Sequence, residues 1–162
     1  MKIGVVSDTH SHNLPQQMLN DFKDVDLILH AGDICSTDVL EKFNKINEIK
    51  TVHGNMDGHE LRKILPRRDI IQCGKFHIGL FHGEGPPHKL FTTVRDEFKD
   101  TEVDAIVFGH SHQPVNKIVN GILYFNPGSP NDNIFAPYQS YGILEINDKI
   151  IGKIIKVRKQ DG

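Results

Sequence analysis

The chain contains no tryptophan and only two cysteines, Cys35 and Cys73, among its 162 residues. So few cysteines argue against a disulfide scaffold and favour two reduced thiols. No apolar run approaches the length of a membrane span, and the apolar run at the N-terminus is too short for a signal peptide. We therefore expect a cytoplasmic protein with no membrane partner.

The chain also lacks a large excess of positive or negative charge, because its formal net charge is −2. No basic stripe is visible in the sequence, which argues against dedicated nucleic-acid binding. A small anionic substrate could still be held by metal ions, which formal charge counts ignore. The length and the ordinary composition indicate a single domain over residues 1–162.

Short apolar runs alternate with helical patterns through the first two-thirds of the chain, and the last third is rich in hairpins. Strands are expected near residues 3–6, 27–29, 50–53, 70–72, 76–81, 105–108, 115–119, 122–125, 141–146 and 150–157, and helices near 15–23, 39–46 and 89–99. Asn120-Gly121 is typical of a type I′ hairpin turn. The alternation predicts parallel strands, and the hairpins add antiparallel ones. Four layers would fit this pattern, although the pattern alone leaves the number of sheets open.

Ten histidines are present, and their positions are informative. Residues that can bind metal follow directly after five of the apolar strands: Ser7-Asp8-Thr9-His10, His30-Ala31-Gly32-Asp33, Gly54-Asn55-Met56-Asp57, His82-Gly83 and Gly109-His110-Ser111-His112. Parallel strands bring their carboxyl ends to one edge of a sheet, so we expect these clusters to converge. The histidines of the last cluster are spaced i, i+2, and on extended backbone they would face the same side.

Each cluster alone has a structural interpretation as a helix cap, a turn or a surface histidine, but five such coincidences at strand ends are improbable. Together the clusters supply three oxygen donors (Asp8, Asp33, Asn55) and four imidazoles (His10, His82, His110, His112). Mixed oxygen and nitrogen donors suit Mn²⁺, Fe or Zn²⁺ and fit poorly with a copper or iron–sulfur site. Seven ligands are too many for one ion and suit two ions that share a bridging carboxylate.

The ordered series Asp-x-His, Gly-Asp, Gly-Asn, His and Gly-His-x-His resembles the calcineurin-like metallophosphoesterase superfamily. The short chain and the segment Asn126-Pro127-Gly128-Ser129 resemble the small bacterial and archaeal phosphodiesterases of that superfamily. The resemblance covers essentially the whole chain. It implies an α/β fold in four layers, an αββα sandwich of two mixed β-sheets flanked by helices. It also implies a metal-dependent phosphoesterase, with a small phosphodiester or other phosphate ester as substrate and a diester as the preferred class.

The resemblance further implies a role for each matched position. One ion would be bound by Asp8, His10 and His112, the other by Asn55, His82 and His110, and Asp33 would bridge the two. A hydroxide bridging the two ions would attack phosphorus. Mn²⁺ is the expected metal, with Ni²⁺, Fe²⁺, Co²⁺ and Zn²⁺ as alternatives. The predicted catalytic residues are Asn55, Asp57 and His82, with Asp57 orienting a ligand, and the predicted substrate contacts are Asn55, Ser11 and His12.

One position departs from the family pattern. Many members have histidine after the Gly-Asn pair, where it contacts phosphate, but Met56 stands here and cannot donate a proton. The general acid is therefore unassigned, with His12, His59 and His88 as candidates, and the loop Glu84-Gly85-Pro86-Pro87 is a candidate wall of the pocket.

Two rival functions stay open. The first is a protein-binding scaffold of the Vps29 type, which shares the fold and acts through protein contacts. That function predicts that some of the metal-binding residues are replaced by residues that cannot bind metal, and all seven are present here. The second is a mononuclear hydrolase or a metal store. The oligomeric state, including a homo-oligomer, also stays open.

Overall fold

Ten β-strands and four α-helices make up the part of the chain that the structure, a computed structural model, describes, which is residues 1–159. The strands are β1 (Lys2–Val6), β2 (Leu27–His30), β3 (Ile49–Thr51), β4 (Arg68–Cys73), β5 (Phe76–Phe81), β6 (Ala105–Val107), β7 (Val115–Val119), β8 (Ile122–Asn126), β9 (Ser140–Ile146) and β10 (Ile150–Lys156). The helices are α1 (Gln16–Asp21), α2 (Thr37–Asn44), α3 (His59–Ile64) and α4 (Leu90–Glu97), with 3-10 turns at Phe22–Asp24 and Pro87–Lys89. Within this range no helix is both long and apolar enough to cross a membrane.

The strands form two mixed sheets of five strands each. In the first sheet the order is β10-β9-β1-β2-β3, where β1, β2 and β3 are parallel and β9 and β10 are added in antiparallel fashion. In the second sheet the order is β4-β5-β6-β8-β7, where β5, β6 and β8 are parallel and β4 and β7 are antiparallel edge strands. The predicted pair of mixed sheets is therefore confirmed.

Three apolar clusters separate four layers of structure. The central cluster lies between the sheets and contains Val5 and Leu29 of the first sheet with Leu80 and Val107 of the second. A second cluster packs the outer face of the first sheet against α1 and α2, and it is built from Val6, Met18, Phe22, Ile28, Val39 and Phe43. A third packs the outer face of the second sheet against α4, and it is built from Phe81, Leu90, Val94, Phe98 and Ile106. Strands such as β1 are buried on both faces, which explains why their sequences are continuous apolar runs. The order of the layers is αββα, as predicted.

The hairpin turns follow the expected local chemistry, whereas one helix was missed. Asn120 and Gly121 have φ of 50° and 80°, which are the positive values that a type I′ turn requires. Helix α3 was not predicted, because its six residues bury only Leu61 and show no apolar periodicity. This helix follows the Asn55 cluster directly, and its residues His59, Glu60 and Leu61 line a small cavity of their own.

Candidate metal centre

The loops after β1, β2, β3, β5 and β6 meet at one end of the sandwich. One contact joins the two sheets there, because the amide of His110, which follows β6 of the second sheet, donates to the carboxylate of Asp8, which follows β1 of the first. Within the second sheet, the amide of Gly109 donates to the carbonyl oxygen of His82. The convergence therefore involves strand ends from both sheets rather than from one. Also within the second sheet, the side chain of Asn126 at the end of β8 donates to the carbonyl oxygen of Gly109 at 3.0 Å and holds the loop after β6.

Five of the seven predicted metal ligands have backbone in the left-handed region. These are Asp8, His10, Asp33, His110 and His112, with φ between 48° and 72°. For a residue other than glycine this conformation costs about 1–3 kcal/mol, and such strain concentrates at functional sites. The expectation that His110 and His112 share one face of an extended segment is wrong, because this backbone sends their side chains to different partners.

The Asp8 carboxylate lies at the centre of the site and is fully buried. Its Oδ2 atom accepts hydrogen bonds from the Ser7 hydroxyl at 2.7 Å and from the His110 amide at 3.0 Å. Its Oδ1 atom has no hydrogen-bond partner among the described residues, and Nε2 of His112 lies 3.3 Å and Nε2 of His82 3.8 Å away. A buried carboxylate oxygen without a donor is costly, and a bound cation would satisfy it.

Three imidazoles are each held through one ring nitrogen, so that the other nitrogen faces the oxygen donors. His82 contacts the carbonyl oxygen of Ala31 through Nδ1 at 2.7 Å, and His110 contacts that of Gly85 through Nε2 at 2.8 Å. His112 contacts the Asp132 carboxylate through Nδ1 at 2.6 Å. Imidazoles that bind metal are oriented in this way by an oxygen on the opposite side of the ring.

The free ring nitrogens and the carboxylates form two overlapping groups that could each hold a metal ion. One group is Asp8, His10 and His112, and the other is Asp8, Asp33 and His82, with the ligand atoms of each group within 4.8 Å of one another. Asn55 adjoins the second group, because its Oδ1 lies 3.1 Å from Nε2 of His82. The same oxygen lies 3.2 Å from Nδ1 of His110. Asp8 is common to both groups, and the bridging role of Asp33 stays a prediction.

The carboxylates and imidazoles shift one another's protonation. Burial disfavours charge on His82, but the carboxylates of Asp33 and Asp8 outweigh it and raise the pKa of His82 to about 9. For His112, burial is likewise outweighed by Asp8 and Asp132, and its pKa rises to about 9. Burial of Asp8 is opposed by the same imidazoles, which hold its pKa below the ordinary value. A cation at this site would therefore displace protons from the imidazoles.

Asp57 holds the loops that carry the ligands. Its buried carboxylate accepts hydrogen bonds from the amides of Gly54 at 2.7 Å, Cys35 at 2.7 Å and Asp33 at 3.0 Å. The bonds from Asp33 and Cys35 join the loop after β2 to the loop after β3, and the bond from Gly54 closes the loop after β3 on itself. These contacts are all to backbone amides, and none is to the side chains of the seven predicted ligands. The catalytic and orienting role of Asp57 stays a prediction.

A cleft of about 900 Å³ opens over this cluster. Of the predicted substrate contacts, Asn55 and His12 line it, but Ser11 lines a separate cavity beside α3 together with His59. His88 is exposed and is not among the cleft's lining residues. Of the three candidate general acids, only His12 is therefore placed at the cleft. Of the loop of residues 84–87, Pro87 lines the cleft and the other three residues do not.

Sequence reasoning missed the segment that follows β8. Ser129 donates to the carbonyl oxygen of Asp8 at 2.9 Å, and Asn131 donates to that of Thr9 at 2.8 Å. Asp132 contacts His112, and the His112 imidazole with three backbone amides lowers the pKa of Asp132 to about 2 despite burial. The polar run Asn131-Asp132-Asn133 after the Asn-Pro-Gly-Ser segment was the available signal.

Two residues of the motifs have roles beneath the site. A Cβ atom at Gly109 would collide with the Ser7 hydroxyl and lie 2.6 Å from Oδ2 of Asp8, so only glycine fits there. His30 is fully buried, contacts the Thr9 hydroxyl through Nε2 at 2.9 Å and accepts from the Gly32 amide through Nδ1 at 3.1 Å. Burial lowers the pKa of His30 to about 3.

Comparison with known proteins agrees with this geometry. Residues 1–149 match the calcineurin-like phosphoesterase superfamily domain. A probable metallophosphoesterase of Methanothermobacter thermautotrophicus is 37% identical over 134 residues, which are 80% of this chain and 77% of that protein. The solved structure of an archaeal phosphodiesterase is 26% identical with a TM-score of 0.80, over 96% of this chain and 99% of the other. Vps29 of Chaetomium thermophilum has the same fold, with a TM-score of 0.82 at 18% identity over 99% of this chain and 91% of the other.

Proposed function

Because the chain belongs to the calcineurin-like phosphoesterase superfamily, whose members are metal-dependent, we propose that it is a phosphodiesterase that uses two divalent metal ions. The observation that carries the proposal is the fully buried carboxylate of Asp8, which belongs to both candidate metal groups and whose Oδ1 atom has no hydrogen-bond partner among the described residues. A hydrophobic or purely structural site has no need for a carboxylate oxygen in that state. Mn²⁺ is the metal we expect, since three oxygen and four nitrogen donors suit it.

The ligands divide between two ions in this proposal. Asp8, His10 and His112 hold one ion, Asn55, His82 and His110 hold the other, and Asp33 bridges them. The first set is supported by the ring nitrogens of His10 and His112, which face each other at 3.5 Å. The second is supported by Asn55 Oδ1, which contacts both remaining imidazoles.

The chain's own residues then position the phosphodiester. When bound, the two ions would supply an activated water as nucleophile and positive charge for the non-bridging oxygens of the phosphate. Asn55 turns its Oδ1 atom to the imidazoles, which leaves its Nδ2 donor for a non-bridging oxygen of the substrate. The general acid stays unassigned, because Met56 carries no proton and His12 is known only to line the cleft.

A diester is favoured over a monoester by the structural likeness to an archaeal phosphodiesterase. The likeness to Vps29 shows the fold alone, at 18% identity. A scaffold needs no array of oriented imidazoles around a buried carboxylate, so that second function is the weaker explanation of the site.

A substrate panel with separate metals tests the proposal. The purified protein is assayed on nitrophenyl monoesters and diesters with Mn²⁺, Ni²⁺, Co²⁺, Mg²⁺ or Zn²⁺, and elemental analysis counts the ions bound after saturation. We expect two ions per chain and preferential diester cleavage. A single bound ion would refute the dinuclear site, and metal binding without any turnover would favour the scaffold function.

A further inference from the structure

An apolar rim borders the polar floor of the cleft. It consists of Met56, Pro87, Ile134 and Phe135, all of which line the cleft. Ile134 is 81% exposed, Phe135 73% and Met56 60%. Single exposed apolar residues are ordinary, but several that share the wall of a concave site mark a binding surface.

The loop that carries Ile134 and Phe135 is held by hydrogen bonds. The Asp132 carboxylate accepts from the amides of Ile134 at 2.8 Å and of Phe135 at 3.2 Å. The side chain of Gln113 donates to the carbonyl oxygen of Phe135 at 2.9 Å, and that of Gln139 donates to Asn133 at 2.8 Å. The two apolar side chains are therefore presented on an ordered backbone, which lowers the entropy cost of binding a ligand.

The rim is continuous with the metal ligands. The rings of Phe135 and His112 are in an edge-to-face arrangement with centroids 6.4 Å apart. The carboxylate of Asp132 contacts Nδ1 of His112 and also shapes the loop. A phosphate held beside His112 would thus place one of its ester groups within reach of Phe135.

The side chains that line the cleft limit which kind of ester group can bind beside Phe135. None of the described residues that line the cleft is a lysine or an arginine. The nearby guanidinium of Arg62 is engaged by the backbone oxygens of Asp57, Gly54 and Asn55. An ester group with a second phosphate or a carboxylate would find no lysine or arginine among those lining residues, whereas an uncharged apolar group would cover Ile134 and Phe135.

We propose that Ile134 and Phe135 form a subsite for an aromatic or otherwise apolar ester group of the substrate. The substrate class is accordingly a phosphodiester that carries such a group and no second phosphate. This inference deepens the proposed phosphodiesterase function and rests on it. It assigns the choice of substrate to the loop after β8 rather than to the metal ligands.

Two symmetric esters test the subsite, because either of their ester groups can occupy it. Diphenyl phosphate and dimethyl phosphate are compared as inhibitors of bis(p-nitrophenyl) phosphate hydrolysis, and their Kd values are measured by ligand-observed NMR with Zn²⁺ present. We expect diphenyl phosphate to bind about tenfold more tightly, the lower end of the discrimination that an apolar contact provides. Phe135→Ala should abolish the difference in affinity between the two esters, because it weakens the binding of diphenyl phosphate alone. Phe135→Trp should retain the difference.

Ile118→Ala is the matched control, since Ile118 is 68% exposed on β7 and does not line the cleft. Its ratio of affinities should equal that of the unmodified protein. Equal affinity of the protein for the two esters would overturn the subsite, and so would an unchanged ratio of the two Kd values in Phe135→Ala. If the protein still hydrolyses diesters in that case, the proposed phosphodiesterase function stands. A retained tenfold ratio without turnover under any metal would support the subsite and overturn the phosphodiesterase function instead.

Discussion

Asp132 accepts a 2.6 Å hydrogen bond from Nδ1 of His112, from a position 20 residues further along the chain. The carboxylate thereby fixes which ring nitrogen of His112 faces Asp8, and the same group orders the loop of Ile134 and Phe135 through their amides. One side chain thus links a proposed metal ligand to the proposed substrate subsite.

Asp132→Asn should weaken metal binding by about 10–100-fold, the usual effect of losing such a partner of a metal-binding histidine. Asparagine keeps an oxygen for the loop amides but removes the negative charge beside His112. Calorimetric titration of Mn²⁺ or Zn²⁺ into metal-free protein measures the affinity. Asp148→Asn, in the exposed turn between β9 and β10, is the control, and an unchanged affinity in Asp132→Asn would contradict this role.

Asp33→Asn should lose nearly all activity while the protein stays folded. The remaining amide oxygen can still accept from the Met56 amide, as Oδ1 of Asp33 does at 2.8 Å, but the negative charge that Asp33 would share between the two proposed ions is removed. Turnover, bound metal and thermal melting are measured together, with Asp148→Asn as control. A folded variant with near-normal turnover would show that Asp33 is not the bridge.

Met56→His should raise turnover on alkyl phosphodiesters more than on nitrophenyl phosphodiesters. Met56 is 60% exposed at the cleft, so an imidazole fits there without repacking the core. General acid catalysis is worth about 10²–10⁴-fold, and it matters only when the leaving group is a poor one. The test compares kcat/KM for both ester types, with Met56→Leu as the variant that lacks a proton donor. An equal change for both types would rule out a missing acid at this position.

Gly109→Ala should destabilise the protein by about 1–3 kcal/mol, the range for overpacked interiors. The added methyl group would collide with Ser7 and press on the Asp8 carboxylate, so metal affinity should fall as well. Gly58→Ala is the matched control, because a Cβ atom at Gly58 meets nothing within 4 Å. Chemical denaturation and metal titration measure the two effects. If both variants behave alike, the close approach at Gly109 is unimportant.

His30 should make the fold sensitive to acid. Burial lowers its pKa from the ordinary value of 6.5 to about 3, so below pH 6.5 the unfolded chain binds a proton that the folded chain does not. The contribution of His30 to the free energy of unfolding is therefore fully present above pH 6.5. As the pH falls from 6.5 toward 3, this contribution is lost by up to about 1.4 kcal/mol per pH unit.

His30→Asn should flatten this pH dependence, because asparagine retains an acceptor for the Gly32 amide and does not titrate. The free energy of unfolding of the metal-free protein is measured by denaturant titration at several pH values between 4 and 7, a range chosen on the same linkage argument. His77→Gln serves as control, since His77 is exposed on β5. A slope in His30→Asn equal to that of the control would contradict the buried neutral state of His30.

Local pattern was sufficient to predict most strands, the hairpin turns and the polar residues that follow the strands. Runs such as Ile3-Gly4-Val5-Val6 are buried on both faces, so they are apolar throughout and readable without a structure. Asn120-Gly121 is equally local, because both residues must adopt positive φ within the turn itself. Helix α3 escaped prediction because Leu61 is its only buried residue, which leaves no apolar period to detect.

The sequence by itself determined which donors are available, since Asp8, His10, Asp33, Asn55, His82, His110 and His112 are recognisable at strand ends and in family order. Only the tertiary structure decided how they are grouped. Left-handed backbone separates His110 from His112, and contacts between the two sheets leave Oδ1 of Asp8 buried without a donor. The partnership of Asp132 with His112 and the apolar rim also depend on how a loop after β8 folds over the end of β6, and such long-range contacts leave no periodic trace in the sequence.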